Sequence, residues 1–246
     1  MSKVTVIISQ KGGVGKSTTT VNLAAVRAEQ LTEGQDADAF SPVAAVSIDP
    51  QGSATWWANQ VASLPFHLVQ AHDDPIAWLQ QLNNLPGIEE VYVDTPGWFD
   101  LDPDGSGDGL GEGYSAETLR AVLDIADEAL VPMLAAPLCF DPTARTIRKL
   151  LEPRGLPYRV FINDFDPRDR DYWLDETRSF VRGRGWPLME TYIRHYKIHT
   201  NASSEGLVVT QYKKTGTAAN AASDFYKLAD ELNGKLVDEL NTVGAR

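Results

Sequence analysis

Short apolar runs and longer amphipathic stretches follow one another along the 246-residue chain. The apolar runs are rich in β-branched residues, as is typical of buried strands, and the longer stretches carry apolar residues at helical spacing. Strands and helices that alternate in this way form a mostly parallel, twisted α/β sheet with helices on both faces. The predicted strands are Val4–Ser9, Val43–Ile48, Glu90–Asp94, Glu128–Met133, Arg159–Asn163 and Glu190–Ile193.

Two polar segments lie between the predicted strands and helices. Thr32–Pro42 is predicted to be a connection, and Asp100–Gly113, which is rich in Asp and Gly, is predicted to be a flexible loop. No internal repeat and no long linker divides the sequence, so we expect one domain over residues 1–246. The predicted helices are Ser17–Gln30, Ser53–Ser63, Pro75–Asn83, Ser115–Asp127, Pro142–Leu151, Arg168–Gly183 and Thr217–Leu240.

A glycine-rich segment, Gln10–Thr20, lies between the first predicted strand and the first predicted helix. A turn of this kind points backbone N–H groups and the positive end of the helix dipole at one small volume, which suits phosphate. Lys16 can reach the β- and γ-phosphates, and the Ser17 hydroxyl can ligate Mg²⁺. The sequence therefore predicts a nucleotide phosphate site, and a glycine-rich surface turn is the alternative.

Lys11 is a second lysine inside the same loop, next to Gln10, which stands where the usual pattern has its first glycine. Because Lys16 already occupies the phosphate cradle, Lys11 is poorly placed to serve its own loop. It can reach the phosphates of a facing subunit and add positive charge where negative charge grows during phosphoryl transfer.

Three segments resemble the ParA/MinD ATPases. Lys11–Thr19 is similar to the deviant Walker A box of that family, Asp49–Thr55 to the segment after its second strand, and Val91–Gly97 to its Walker B strand and switch. More weakly, Asn201–Val209 resembles a late segment of ParA proteins and Ala218–Leu232 their closing helix. The resemblance covers nearly the whole chain, and it implies the P-loop NTPase fold and ATP hydrolysis.

The resemblance also implies roles for single residues. In the family, the aspartate that matches Asp49 orients or activates the attacking water, and the one that matches Asp94 holds Mg²⁺. Asn163 stands where family members place an adenine-reading asparagine, and Thr18 is expected at the α-phosphate. Spacing alone shows only polar residues at strand ends, and turn residues are the alternative for both aspartates and for Asn163. Many ParA proteins have another aspartate where this chain has Ser47, so Ser47 is left out of the predicted site.

The site predicted in this way uses ATP and Mg²⁺. Its expected catalytic residues are Lys11, Lys16 and Asp49, and its expected metal ligands are Ser17 and Asp94. The expected nucleotide-binding residues are Gly12, Gly13, Val14, Gly15, Lys16, Ser17, Thr18 and Asn163.

Charge is distributed unevenly along the chain. The net charge of −12 opposes nonspecific DNA binding if it is spread evenly. However, residues 1–140 hold 5 basic and 19 acidic side chains, whereas residues 141–246 hold 17 and 15. A local basic face is therefore expected to contact DNA, with a solvated mixed-charge surface as the alternative. Its candidate residues are Arg194, Lys197, Lys213 and Lys214.

The remaining composition points to the cytoplasm. No apolar run approaches the length of a membrane span, and we expect no signal peptide because a strand and the phosphate loop begin almost at once. The single cysteine, Cys139, excludes an internal disulfide framework and the paired ligands of an iron–sulfur cluster.

The function that the resemblance implies is plasmid or chromosome partition. ATP is expected to join two subunits into a homodimer in which each Lys11 crosses to the other nucleotide. The dimer is expected to bind double-stranded DNA without sequence preference and so to associate with the nucleoid. A ParB-like centromere-binding adaptor that carries the cargo is expected to stimulate hydrolysis and so to dissolve the dimer.

Three alternatives remain open at this point. A MinD-like regulator of division bound to the membrane needs a basic amphipathic end, whereas Leu232–Leu240 is acidic and interrupted by glycine. A metabolic P-loop enzyme needs a substrate pocket, and Lys11 favours the dimeric switch instead. A ParA-like protein that positions a protein assembly would have identical chemistry of its own.

Overall fold

The computed structural model describes residues 1–36, 39–168 and 171–234. Within these ranges seven strands form one sheet, and every neighbouring pair is parallel. The strands are β1 (Lys3–Ile7), β2 (Val43–Ser47), β3 (His67–Gln70), β4 (Glu90–Asp94), β5 (Glu128–Leu134), β6 (Tyr158–Phe165) and β7 (Leu188–Arg194). Their order across the sheet is β3-β2-β4-β1-β5-β6-β7.

The α-helices of the described residues are α1 (Lys16–Leu31), α2 (Ser53–Ala58), α3 (Ile76–Leu79), α4 (Tyr114–Ile125), α5 (Phe140–Arg145), α6 (Asp171–Gly183), α7 (Lys197–Glu205) and α8 (Gly216–Leu232). A π-helical turn, Thr146–Leu151, continues α5. Short 3₁₀ turns occupy Leu82–Asn84, Pro137–Cys139, Glu152–Arg154 and Val209–Gln211. No helix in the described ranges combines the length and the apolar character that a bilayer crossing requires.

The sheet has an apolar layer on each face, as strand alternation requires. On β1, Val4 and Val6 face the layer that contains α4 and the π-helical turn, whereas Ile7 faces the layer that contains α1 and α8. These residues are completely buried. The prediction of a parallel sheet covered on both sides is therefore confirmed.

The predicted strands are present within one or two residues of their expected bounds, but β3 was not predicted. Its four residues are only half-buried at the edge of the sheet, so they lack the buried run that marks a strand in sequence. Helix α7 was also not predicted, because Ala202 is its only buried residue.

Several predicted helix bounds were wrong. The helix predicted over Ser53–Ser63 ends at Ala58, and the one predicted over Pro75–Asn83 is a single α turn followed by a 3₁₀ turn. The helix predicted over Pro142–Leu151 changes to π geometry at Thr146. Two other predicted helices include residues 169–170 and 235–240, which lie outside the described residues.

The carboxyl ends of the central strands meet at one edge of the sheet. Asp94, the last residue of β4, is the register partner of Ile7 on β1 and of Ser47 on β2. The loop that follows β1 and Asp49, two residues after the end of β2, therefore reach the same edge. Ligands of open α/β sheets bind at such an edge.

Candidate active site

The phosphate loop joins β1 to α1 with two residues in the left-handed region. Gly13 has a φ of 73° and Gly15 a φ of 86°, which favour glycine. Helix α1 begins directly after Gly15, and no side chain caps its first turn. The first N–H groups of a helix lack partners inside the helix and carry the positive end of its dipole. The loop therefore presents an anion site.

Lys16 lies at the floor of this site and is largely buried. Its Nζ donates a hydrogen bond to the carbonyl oxygen of Lys11 at 3.2 Å. Burial lowers the pKa of Lys16, and the negative charges of Asp94 and Asp49 oppose that effect. The ammonium group is thus held under the loop, close to the charges of two carboxylates.

Asp94 is completely buried at the end of β4. Its Oδ2 accepts a hydrogen bond from the Ser47 hydroxyl at 3.4 Å, while its Oδ1 has no hydrogen-bond partner among the described residues. The pKa of Asp94 is raised to about 7. Burial is the main cause and the charge of Asp49 adds to it, while Ser17, Lys16 and Ser47 oppose the rise. A buried carboxylate oxygen without a partner fits a hard cation or a water bound to one, so these residues fit Mg²⁺.

Asp49 follows β2 and is half-buried at the same edge. Its Oδ1 accepts a hydrogen bond from the Gln51 N–H at 2.9 Å, which is an Asx turn. Its backbone carbonyl accepts from Gln70 Nε2 at 3.0 Å. The turn that the sequence allowed as an alternative is therefore present, and it holds the carboxylate beside the cavity.

Gln70 is a supporting residue that the sequence analysis missed. It ends β3, the strand that was not predicted, and it also contacts Thr55 of α2 and His72. Through these contacts the edge strand fixes the segment that carries Asp49. The only signal in the sequence was a polar residue at the end of a weak apolar run.

Two cavities flank the phosphate loop and share the residues Gly13, Gly15, Ser17, Thr18, Gln51 and Ser53. The larger, of about 980 Å³, also contains Lys11, Lys16, Asp49 and Arg145. The smaller, of about 530 Å³, contains Trp56, Asn163, Asp164 and His199. An elongated ligand whose anionic part rests on the loop can occupy both.

Asn163 lies in the smaller cavity and is buried. Its Nδ2 donates a hydrogen bond to the carbonyl oxygen of Val14 at 2.8 Å. The side chain thus supports the phosphate loop itself, a contact that the sequence did not predict. Its role in reading adenine stays a prediction.

Lys11 is half-buried in the larger cavity. Within the described ranges its ammonium group has no hydrogen bond and no ion pair. Lys11 shares the lining of this cavity with Pro142 of α5. Burial raises the pKa of the Cys139 thiol, and the positive charge of Lys11 opposes that rise. An unpaired cation at the open side of the loop is available to a second molecule.

The segment after Asp94 rests on the phosphate loop. The Trp98 N–H donates a hydrogen bond to the Gln10 carbonyl at 3.2 Å, and a Cβ at Gly97 would lie 3.2 Å from the same oxygen. The Gln10 N–H in turn donates to Thr146 Oγ1 at 2.9 Å. The start of the loop is therefore held between the predicted switch and the π-helical turn, and Thr146 is a second supporting residue that the sequence analysis missed.

The four candidate DNA-binding residues differ in their surroundings. Lys197, Lys213 and Lys214 are exposed. Arg194, in contrast, forms an ion pair with Asp224, with Nη2 and Oδ1 2.7 Å apart, and this hydrogen bond raises the pKa of Arg194. Asp224 therefore neutralises Arg194 locally, which leaves the three exposed lysines as the candidate DNA-binding residues.

Comparison with known proteins places the chain among nucleotide-binding proteins. Residues 5–242 match the family model described as the CobQ/CobB/MinD/ParA nucleotide binding domain. The maintenance of carboxysome distribution protein A of Gloeobacter kilaueensis is 34% identical over 232 residues, which are 94% of each chain. The protein of the same name from Halothiobacillus neapolitanus is 26% identical over 92% of this chain and 91% of its own.

Among solved structures, the MinC:MinD cell division protein complex of Aquifex aeolicus matches with a TM-score of 0.69. The match covers 95% of this chain and 96% of the MinD-like chain at 18% identity. At that identity the likeness establishes the fold.

Proposed function

Because the chain belongs to the CobQ/CobB/MinD/ParA nucleotide-binding family, we propose that it is a ParA-type positioning ATPase whose cargo is a protein assembly. It is an ATPase of the ParA/MinD type, and the family uses ATP and Mg²⁺. The observation that carries the proposal is the likeness, along 94% of the chain, to a protein named for carboxysome distribution.

We assign the phosphates of ATP to the loop between β1 and α1. The N–H groups of the loop and of the first turn of α1 bind them, and Lys16 neutralises the β- and γ-phosphates. Ser17 and Asp94 hold the Mg²⁺ ion, directly or through water. The ion supplies positive charge to the phosphate oxygens when it is bound. The buried Oδ1 of Asp94, which has no hydrogen-bond partner in the part of the chain that the structure describes, supports this assignment.

Asp49 is assigned to the attacking water. Phosphoryl transfer to water depends on in-line positioning and charge neutralisation more than on covalent chemistry. The Asx turn with Gln51 and the bond from Gln70 hold the Asp49 carboxylate beside the larger cavity, close enough to Lys16 to affect its pKa. The carboxylate can therefore orient a water molecule toward a phosphate on the loop.

Lys11 completes the site of a second copy in our proposal. It is half-buried, unpaired within the described residues, and on the open side of the loop. Two copies that face each other across their loops can exchange these lysines, and each then adds positive charge to the partner's triphosphate. Hydrolysis removes the γ-phosphate that both copies share, so it releases the dimer. A partner protein that carries the cargo stimulates this step.

Nonspecific DNA is the proposed track on which the dimer is retained. Lys197, Lys213 and Lys214 form the candidate contact surface, and dimerisation doubles the number of phosphate contacts. Plasmid or chromosome partition with a ParB-like adaptor uses the same chemistry and differs in its cargo. The names of the two relatives favour a protein assembly over a replicon as the cargo.

The DNA part of the proposal is tested by sedimentation with duplex DNA in ATP, in ADP and without nucleotide, across a salt series. We expect binding only with ATP and a steep loss with salt. The double variant Lys213→Glu/Lys214→Glu should lose this ATP-dependent DNA binding without any change in ATP binding. Arg148→Glu, an exposed charge reversal in the π-helical turn on the other face of the sheet, is the control. Unchanged binding by the double variant would contradict the assigned surface.

The cargo is tested by deleting the gene in its native host. We expect clustered, unevenly inherited protein assemblies together with normal plasmid inheritance. Loss of plasmids with normally distributed assemblies would contradict a protein cargo and support partition instead. Restoration of the distribution by the wild-type gene, and not by a Lys16→Ala gene, would tie the phenotype to the nucleotide site.

A further inference from the structure

Arg145 is a cation in the larger cavity to which no role has been assigned. It is the last residue of α5, it is half-buried, and it lines the cavity together with Lys11, Lys16 and Asp49. It does not line the smaller cavity, where Asn163 lies. Arg145 therefore lies on the side of the loop where Asp49 is placed.

The backbone at Arg145 is fixed relative to the phosphate loop. The next residue, Thr146, accepts a hydrogen bond from the Gln10 N–H at 2.9 Å. The Thr146 hydroxyl also donates to the Pro142 carbonyl at 2.9 Å, one turn earlier in the helix. The Thr146 hydroxyl thus ties the end of α5 to the first residue of the loop, so the side chain of Arg145 extends from a fixed backbone position.

Two basic side chains further along this segment form ion pairs, whereas Arg145 forms none with a described residue. Lys149 pairs with Asp100 at 3.1 Å, and Arg154 pairs with Asp124 at 3.1 Å. For Arg145, no ion pair or side-chain hydrogen bond is formed with any residue that the structure describes. A half-buried guanidinium group without an anionic partner is suited to an anion that arrives from solution.

The geometry points to Arg145 as a specificity-determining residue that contacts the terminal phosphate of ATP. The loop N–H groups bind the inner phosphates and Lys16 the β- and γ-phosphates, so Arg145, which lines the same cavity as Lys16 and Asp49, adds a second cation at the terminal phosphate. Guanidinium binds phosphate oxygens through two parallel N–H bonds, which an ammonium group does not reproduce. ADP lacks that phosphate, so Arg145 makes the site favour ATP. The inference rests on the proposed placement of Lys16 and Asp49.

The test measures nucleotide affinity by calorimetry in the Lys11→Ala background, in which we expect neither dimerisation nor hydrolysis. The titrants are ADP and a non-hydrolysable ATP analogue, each with Mg²⁺. Arg145→Gln should lower the affinity for the analogue by at least about tenfold, as expected for the loss of a charged hydrogen bond, and leave the affinity for ADP unchanged. Arg145→Lys should recover part of the loss. Arg148→Gln, an exposed arginine in the next turn, is the matched control and should change neither affinity.

Unchanged affinity of Arg145→Gln for the analogue would overturn the inference. So would an equal loss for both nucleotides, because a residue that only supports the loop would weaken both alike. Lys16→Ala separates this failure from failure of the nucleotide site itself. If Lys16→Ala still binds ADP and the analogue as the parent does, the site assignment is wrong. If Lys16→Ala binds neither nucleotide, the assignment of the nucleotide site is supported. The affinities of Arg145→Gln then test the role of Arg145 separately.

Discussion

The side-chain amide of Asn163 donates a hydrogen bond to the carbonyl oxygen of Val14 at 2.8 Å. The bond joins β6 to the phosphate loop after β1, and β5 lies between these two strands in the sheet. A Cβ at the next loop residue, Gly15, would lie 2.2 Å from the same Asn163 nitrogen. The loop therefore fits against Asn163 only with glycine at this position.

Gly15→Ala is expected to disrupt the phosphate loop. The substitution places a Cβ against Asn163 and forces alanine into a φ of 86°, which L side chains rarely adopt. We expect a lower melting temperature and no measurable ATP binding. Gly12→Ala is the matched control, because a Cβ at Gly12 has nothing within 4 Å and no positive φ. Equal melting temperatures for the two variants would contradict the close contact at Gly15.

A buried ion pair links α1 to β4, and its removal is expected to destabilise the fold. Arg27 Nε donates to Glu90 Oε2 at 2.9 Å, and the Tyr92 hydroxyl donates to the same oxygen at 2.7 Å. Glu90→Gln leaves Arg27 buried beside a neutral partner, so we expect a loss of roughly 3 kcal/mol in urea unfolding at neutral pH. Glu117→Gln, an exposed change on α4, should cost nearly nothing.

The same pair gives a pH dependence with a defined sign. Burial would raise the pKa of Glu90, but the hydrogen bonds from Arg27 and Tyr92 outweigh it and lower the pKa below 4.5. The stability that the ionised group contributes is therefore complete above its unfolded pKa and is lost as the pH falls through its folded pKa. The difference between wild type and Glu90→Gln should shrink in acid. A difference that grows as the pH falls would contradict the assignment.

Asp94 is expected to destabilise the nucleotide-free protein at alkaline pH. Burial raises its pKa to about 7 from an ordinary value of 3.8, so the folded state prefers the protonated form. Stability from this group is present at low pH and falls as the pH rises between those two values. Without Mg²⁺, Asp94→Asn should be more stable than wild type at pH 8, and the gap should narrow toward pH 4.

If Asp94 binds Mg²⁺, the ion should make wild type more stable than Asp94→Asn at pH 8. Addition of Mg²⁺ and ADP at pH 8 should raise the melting temperature of wild type more than that of Asp94→Asn, because the asparagine lacks the charge that the ion requires. Equal shifts in both proteins would place the ion elsewhere. If wild type is more stable than Asp94→Asn at pH 8 before Mg²⁺ and ADP are added, the claim that burying the ionised Asp94 destabilises the protein is contradicted.

The sequence predicted the centre of the sheet well and its edge poorly. Strands such as β1 and β4 are continuous buried runs, and the glycine-rich loop has a strong local signature. Strand β3 is half-buried, so its Gln70, which supports Asp49, carried no readable signal. Local patterns register the spacing of residues within one element, whereas such a support depends on how distant segments pack.

The same limit applies to charge. Arg194 looked like part of a free basic face in the sequence, but the fold brings Asp224 to it from 30 residues away. Arg145 was not singled out, because an unpaired arginine is visible only once every nearby carboxylate has been placed. Similarly, the bond from Gln10 to Thr146 spans 136 residues. The position of the glycine-rich loop was therefore predictable from a local motif, and contacts that depend on tertiary pairing were not.

The most direct test of a lysine shared between two copies is sedimentation velocity of wild type, Lys11→Ala and Lys16→Ala with ATP and with ADP. We expect wild type to be dimeric with ATP and monomeric with ADP. Lys11→Ala should still bind ATP but stay monomeric and fail to hydrolyse it, whereas Lys16→Ala should not bind it. A Lys11→Ala protein that dimerises with ATP and hydrolyses it at the wild-type rate would contradict the exchange of Lys11 between subunits.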